Sequence, residues 1–384
     1  MTPDHPDPGA TPPRILIDAR WFTTPNGSGI ATHGATLLAA LPLAGAQPET
    51  LTDGGIAHPR HRRWPAAVSL HPRTARETSP HNWRIDDIFR TAQNHFRLTG
   101  RTLPLAFPTP PHIAHWTHPL PLHARGARNV YTIHDAIPLL HPDLTAMHGP
   151  RHHSLMRAIL RRADHLVTVS HTARTDIITA LGLDPARITT IHPAGAVFAS
   201  DPPPHPRFAP GRYFLHLGRL DRRKNLPRLI AAHAASGTRR PLILAGPDGD
   251  ESTPLAIDGT HVIRLGWLPP AEIAQLLAHA RALLLPSLAE GLGLPIIEAM
   301  ALGTPVLTST PGATAEIAGN AALLVDPTDT AAIAAGIAHL DSSTQNAAFS
   351  VAGKQRAQIF TLQAYADRLA TLYRGLTDQQ QASA

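Results

Sequence analysis

The stretch from Pro286 to Pro305, PSLAEGLGLPIIEAMALGTP, restricts the fold more than any other part of the chain. The apolar run Ala282-Leu283-Leu284-Leu285 precedes it and is long enough for a buried strand. A loop containing Gly291 and Gly293 follows. Pro295 suits the first turn of a helix, where its missing N–H costs nothing. Ile296, Ile297, Met300 and Ala301 have the spacing of a buried helical stripe. Gly303 stands where such a helix stops, and Thr304-Pro305 cannot continue it. A strand, a glycine loop and a helix leave the first helical N–H groups available, and that tip is an anion site. The glycines let a ligand approach the backbone. Glu290 borders the loop, and Glu298 lies about one turn into the helix. Two carboxylates there suit hydroxyl groups, so the implied ligand combines a phosphate with a sugar.

The rest of the chain repeats the strand–loop–helix pattern. Arg14 to Asp18 predicts a strand, Asn26-Gly27-Ser28-Gly29-Ile30 a glycine loop and Ala35 to Leu41 a helix, the opening of a nucleotide-binding βαβ unit. Ile113 to Trp116 and Asn129 to Ile133 read as strands. His134-Asp135 then falls at a carboxyl end, where open α/β sheets bind ligands. Ser154 to Arg162 predicts a helix. Asp164 to Ser170 predicts a strand, and Thr172 to Ile178 a helix capped by Ser170 or Thr172. Ile188 to Ile191 is the last strand of a first domain. The proline-rich run Asp201 to Pro206 is a stiff linker.

A second α/β domain starts with the strand Tyr213 to Leu217, followed by Gly218-Arg219-Leu220-Asp221-Arg222-Arg223-Lys224-Asn225. The chain has lysine only at 224 and 354, so a lysine here is informative. An arginine fork and a lysine point charge can each hold a phosphate group. Leu242 to Gly246 is a strand ending in glycine. Asp248-Gly249-Asp250 follows Gly-Pro and reads as a turn rather than a cation site. Ala271 to Ala280 and Thr330 to Leu340 are helices, the latter capped by Thr328 or Asp329. Ala352 to Leu376 predicts one long helix with Tyr365, Leu369 and Tyr373 on a stripe. Residues 45–105 carry little pattern. Within them His58 to Arg63 reads as a solvated loop and His81 to Leu98 as helical. His118 and the His152-His153 pair read as surface or loop histidines.

The Glu290 to Pro305 pattern resembles the signature of retaining glycosyltransferases of family 4, which have the GT-B fold. Leu292 stands where phenylalanine is usual. Thr308-Ser309, Glu316 to Gly319 and Leu324 to Pro327 extend the likeness, as do Ser28-Gly29-Ile30, the His134-to-Pro138 element and Gly218 to Asn225. The resemblance implies an α/β chain of two Rossmann-like, doubly wound parallel-sheet domains facing a central cleft. The domains would span residues 1–200 and 207–355, with a C-terminal helix over 356–384 crossing back to the first.

It also implies roles for single residues. Arg219 and Lys224 would hold the diphosphate with the backbone of Gly291, Leu292, Gly293 and Leu294, and Gly29 would close over it. Gly218, Gly246 and Leu268 would line the nucleoside pocket, and Val262 to Leu268 would pack on the base. Glu298 would take the ribose hydroxyls, Glu290 the sugar hydroxyls, and His134 would position the sugar. Thr32 and His33 replace the basic and aromatic residues common after Ile30. The expected activity is retaining hexosyl transfer to a glycan or lipid-linked saccharide in surface polysaccharide synthesis, metal-independent and without a cofactor. Ile15 to Arg20 resembles the mannosyltransferase-like branch, which puts GDP-mannose first and a UDP-sugar next. A sugar-nucleotide epimerase, a glycan phosphorylase and a non-enzymic nucleotide-binding or membrane-adaptor protein are the alternatives.

Composition narrows the partners. The formal charge of +6 is almost wholly arginine, but no nucleic-acid motif accompanies it, so nucleic acid is excluded. The chain has no cysteine, and no run approaches a membrane span. Met1 to Pro13 lacks the regions of a signal peptide. A cytoplasmic protein is expected, with peripheral attachment to the inner membrane face through its basic surface.

Overall fold

The computed structural model describes residues 12–20, 29–54, 72–196, 198, 201–250, 255–342 and 346–381. Asn26 to Ser28, His58 to Arg63 and most of the stretch Met1 to Pro13 lie outside them.

The first domain opens with β1 (Arg14–Asp18), α1 (Gly29–Leu43) and β2 (Gln47–Asp53). Short strands β3 (Arg73–Thr74), β4 (Arg76–Ser79) and β5 (Asn82–Ile85) lead to α2 (Ile88–Thr99). Then come β6 (Leu103–Ala106), β7 (Ile113–Trp116), β8 (Leu122–Ala124) and β9 (Arg128–Thr132). Helices α3 (Ile137–Leu140) and α4 (Gly149–Leu160) precede β10 (His165–Thr168), α5 (His171–Leu181) and β11 (Ile188–Thr190). The main sheet runs β11-β10-β9-β7-β1-β2-β5-β4, parallel except for β4 against β5, and a three-stranded sheet, β3-β6-β8, lies apart from it.

The second domain holds β12 (Phe214–Leu217), α6 (Leu226–Ala235), β13 (Leu242–Ala245), β14 (Val262–Gly266) and α7 (Pro270–His279). It continues with β15 (Ala282–Leu285), α8 (Leu294–Leu302), β16 (Val306–Ser309), α9 (Ala313–Ala318), β17 (Leu323–Val325) and α10 (Thr330–Ser342). Its sheet, β14-β13-β12-β15-β16-β17, is wholly parallel. Parallel pairing needs crossover helices on both faces, so central strands such as β13 and β15 are apolar throughout and fully buried.

The chain ends with α11 (Asn346–Ala357), a 3₁₀ turn at Gln358–Phe360 and α12 (Leu362–Gln381). Tyr365, Leu369 and Tyr373 of α12 bury their stripe among Ile15, Ile17, Leu37 and Leu41 of the first domain. Each such apolar side chain removed from water stabilises the crossing by roughly 1.5–3 kcal/mol.

Four expectations are corrected. The expected helix from Ala352 to Leu376 breaks at the 3₁₀ turn, where Phe360 is buried and the chain turns from one domain to the other. The first helix starts at Gly29 rather than Ala35. Its opening residues have weak helical pattern, and burial of His33 and Gly34 holds them in place. His81 to Leu98 is not one helix. His81 adopts φ 67 in a turn, and Asn82 to Ile85 form β5 with Trp83 and Ile85 inward. His118 is buried, not on the surface, with Nδ1 at 3.5 Å from Asp18.

Candidate nucleotide-sugar cleft

A cavity of about 620 Å³ lies between the domains. Its lining comes from loops that follow strands: Gly29, His134, Val169 and Pro193 after strands of the first domain, and Gly218, Gly246, Leu268 and Glu290 after strands of the second. Open α/β sheets bind ligands at these carboxyl ends.

The second-domain wall is charged. After β12, residues Arg222–Lys224 form a 3₁₀ turn closed by Asn225 in the left-handed region, φ 61. The Asn225 amide donates to Pro286 O at 3.0 Å and Pro327 O at 2.7 Å, tying this turn to the glycine loop. Lys224 and Arg223 both ion-pair with Glu290, which also accepts from Ser287 Oγ at 2.9 Å. Burial pushes the Glu290 carboxyl up, but the Arg223 and Lys224 charges outweigh it and hold it down at about 2. Burial pulls the Lys224 ammonium below its ordinary value, with Glu290 opposing. Arg219 differs. Its side chain is 60% exposed, lines the cavity and meets Asp221 at 3.2 Å.

Glycine is required where β12 and β13 end. A Cβ on Gly246, φ 141, would lie 2.0 Å from Gly218 O, so the backbones pack directly against each other. Beyond β15, Gly293 adopts φ 105 and opens α8, whose N-terminus has no side-chain cap. Gly291, Leu292, Gly293 and Leu294 line the cavity there, so the tip presents its N–H groups to a ligand anion.

The first-domain wall carries the imidazoles of His33 and His134 beside Asp135. His134 donates through Nε2 to Thr117 O at 2.9 Å, which leaves Nδ1 as the acceptor of the neutral ring. Burial lowers its pKa, against the Thr117 carbonyl and Asp135. Thr117 is itself fixed by Asp18, which accepts from its N–H at 2.6 Å and its hydroxyl at 2.9 Å. Burial raises the Asp18 carboxyl to about 7. Asp18 and Thr117 therefore position His134 from beneath.

The domains touch beside the cavity. Ser170 Oγ donates to Gly291 O at 2.7 Å, and a Cβ on Gly291 would lie 2.3 Å from His134 O. Glu316 of α9 accepts from His171 N and Thr172 N at the start of α5, each at 2.8 Å, and from His192 at 2.8 Å.

Of the residues singled out from the sequence, Gly29, His134, Gly218, Arg219, Lys224, Gly246, Leu268, Glu290 and Gly291 to Leu294 line this one cavity. Glu298 does not. It is buried on α8 and accepts from Ala196 N at 3.4 Å, in the loop after β11. Burial raises its carboxyl to about 7, with the Ala196 N–H opposing. Of the D-x-D pair, Asp248 lines the cavity and pairs with Arg264, whereas Asp250 accepts from Arg222 N at 3.0 Å and, across the domains, from Ala146 N at 2.6 Å. Sequence reasoning gave no site role to Arg223, Asp18 or Thr117, and noted His33 only as standing, with Thr32, where basic and aromatic residues are common. The Arg222-Arg223-Lys224 run was the only signal for the first of these.

The fold and cleft define a two-domain GT-B protein. Residues 27–194 match the family described as Glycosyltransferase Family 4, and residues 211–342 match Glycosyl transferases group 1. The chain thus carries a domain of each of these two glycosyltransferase families in succession. It is 33% identical over 232 residues to O-antigen chain mannosyltransferase B of Escherichia coli, covering 53% of this chain and 59% of that protein. It is 29% identical over 232 residues to an MMP α-(1→4)-mannosyltransferase of Mycolicibacterium hassiacum, covering 57% and 56%. The chain thus aligns with somewhat over half the length of these relatives. Among solved structures, sucrose-phosphate synthase of Thermosynechococcus elongatus superposes with a TM-score of 0.67 at 20% identity, covering 97% of this chain and 100% of that one. HepE of Anabaena, solved with UDP-glucose, superposes at 0.62 and 16%, covering 94% and 99%. At these identities the superpositions speak for the fold alone. No described helix is long and apolar enough to cross a membrane.

Proposed function

We propose that this protein transfers a hexose from a nucleotide-diphosphate sugar to a glycan or lipid-linked saccharide, with retention of anomeric configuration, in surface polysaccharide synthesis. The observation that carries this reading is the convergence of Arg219, Arg223, Lys224 and the α8 tip on one cavity that also holds His134. The diphosphate sits on the α8 amides, and the three cations stabilise the negative charge that grows as the sugar departs. These side chains supply the positive charge, so the reaction needs neither a metal nor a cofactor. Glu290 orders Arg223 and Lys224 and offers its remaining acceptor capacity to the sugar. His134 Nδ1 accepts from a sugar hydroxyl.

Glu298 sits behind the α8 tip, and a small shift of the 191–196 loop would release it to the ribose hydroxyls. Exclusion of water by domain closure protects the donor from hydrolysis. GDP-mannose is the first donor to test, supported by the mannosyltransferase relatives, and UDP-glucose the second. The protein works in the cytoplasm, and its basic surface supports peripheral attachment to the inner membrane face. A thermal-shift panel decides the donor: stabilisation by GDP over UDP supports the mannosyl reading, the reverse supports a UDP-sugar, and no shift with either removes it. An epimerase would convert the donor with no acceptor present, which product analysis detects.

A further inference from the structure

His33 lies one turn into α1, on the face that also carries Gly29 and Ile30 into the cleft. The residue borders the cavity, yet it is only 2% exposed and both its ring nitrogens are buried. Among the described residues, neither Nδ1 nor Nε2 has a hydrogen-bond partner. Its ring stands edge-on to His134, with centroids 4.9 Å apart, and tilted against Tyr365 of α12 at 6.3 Å. The carbonyl of His33 is satisfied by Thr36 Oγ1 at 3.0 Å, so only the imidazole is left over.

A buried polar group without a partner costs about 1–3 kcal/mol. A phenylalanine of similar shape would fill this position without that cost, so the imidazole needs a ligand to justify it. Burial first, then the neighbouring His134, His115 and His118, keep its pKa well below the ordinary histidine value, so the ring is neutral. A neutral imidazole offers one N–H donor and one lone pair. A phosphate, which only accepts, would match half of that. A hydroxyl both donates and accepts, and matches all of it. The charged groups suited to phosphate stand on the opposite wall.

We propose that His33 is a sugar-binding residue, hydrogen-bonding hydroxyl groups of the saccharide held next to His134. This rests on the functional reading above. The sugar belongs either to the donor or to the acceptor, and the experiment separates the two. His33→Phe and the wild type are titrated calorimetrically with GDP-mannose and UDP-glucose, and with GDP and UDP alone. A third arm titrates methyl α-mannoside into the nucleotide-bound protein. His33→Phe is expected to melt higher than the wild type when free, because the unpaired nitrogens are gone. If the hydroxyl is the donor's, the variant binds the nucleotide sugar about tenfold more weakly, the loss of one buried hydrogen bond, and the nucleoside diphosphate unchanged. If it is the acceptor's, both nucleotide affinities stay and the methyl mannoside response is lost. Unchanged binding in every arm overturns the assignment, and so does an equal loss of nucleotide and nucleotide sugar. A wild type that binds none of the four nucleotides defeats the functional reading itself, and the assignment with it.

Discussion

The two walls of the cleft are built from opposite materials. The second-domain wall carries fixed charge: Arg219, Arg223 and Lys224 against Glu290, with the α8 tip alongside. The first-domain wall carries the buried imidazoles of His33 and His134 beside Asp135, and burial depresses both rings below the ordinary histidine value. The difference lies in how each wall is stabilised. Opposite charges in contact keep one another ionised even when buried, whereas a cluster of like, titratable rings stays neutral. A basic wall suits a pyrophosphate, and a wall of neutral imidazoles beside one acid, which can donate and accept, suits hydroxyl groups. One cleft can therefore grip the two ends of a nucleotide sugar by separate means.

The largest effect expected on this contrast comes from Lys224→Ala. Losing a preorganised cation costs on the order of 10²–10³ in kcat. It also leaves Glu290 buried with one partner fewer, a penalty of up to about 3–5 kcal/mol. Transfer rates and urea unfolding measure the two, and turnover within a few-fold of wild type would undo the phosphate assignment. Glu298→Gln comes next. The folded carboxyl keeps its proton up to about 7, whereas the ordinary value is 4.5. The folded state therefore binds more protons in that window, and stability falls as pH rises through it. The glutamine variant escapes this. Its advantage is near zero below pH 4.5 and grows to about 3 kcal/mol above pH 7, from 1.36 kcal/mol per unit. A stability difference independent of pH would show that Glu298 is solvated.

Arg219→Ala should weaken nucleoside-diphosphate binding about tenfold, as one charge-assisted contact would, with no change in Tm because the side chain is exposed. Equal loss of stability would place Arg219 in the scaffold rather than in the site. The smallest effect is Tyr373→Phe. It removes the hydroxyl that meets His115 Nδ1 at 2.6 Å, at a cost of about 1 kcal/mol in urea unfolding. That bond ties the crossing helix to the strand under the imidazole wall. A neutral result would mean that α12 holds by its apolar stripe alone.

Local chemistry made much of the charged wall legible. The glycines, Pro295 and the two acids follow one another within a single strand–loop–helix unit, and Lys224 stands out in a chain with so little lysine. Arg223 was hidden because it sits between equivalent basic residues, and only the fold turns it rather than Arg222 onto Glu290. The imidazole wall was mostly illegible. His134 follows a strand, but His33 and His118 look like any others among 25 histidines. Their burial comes from contacts far away in sequence, α12 for His33 and Asp18 for His118.

By itself the sequence determined the parallel α/β alternation, the uncapped glycine tip of α8 and the basic residues beside it, because these depend on neighbours a few positions apart. Tertiary structure alone decided which histidines are buried and neutral, that Glu298 turns to Ala196, and that the tail breaks at Phe360 to seal the first domain. Those outcomes depend on desolvation and on pairings between segments a hundred or more residues apart, which a local pattern does not carry.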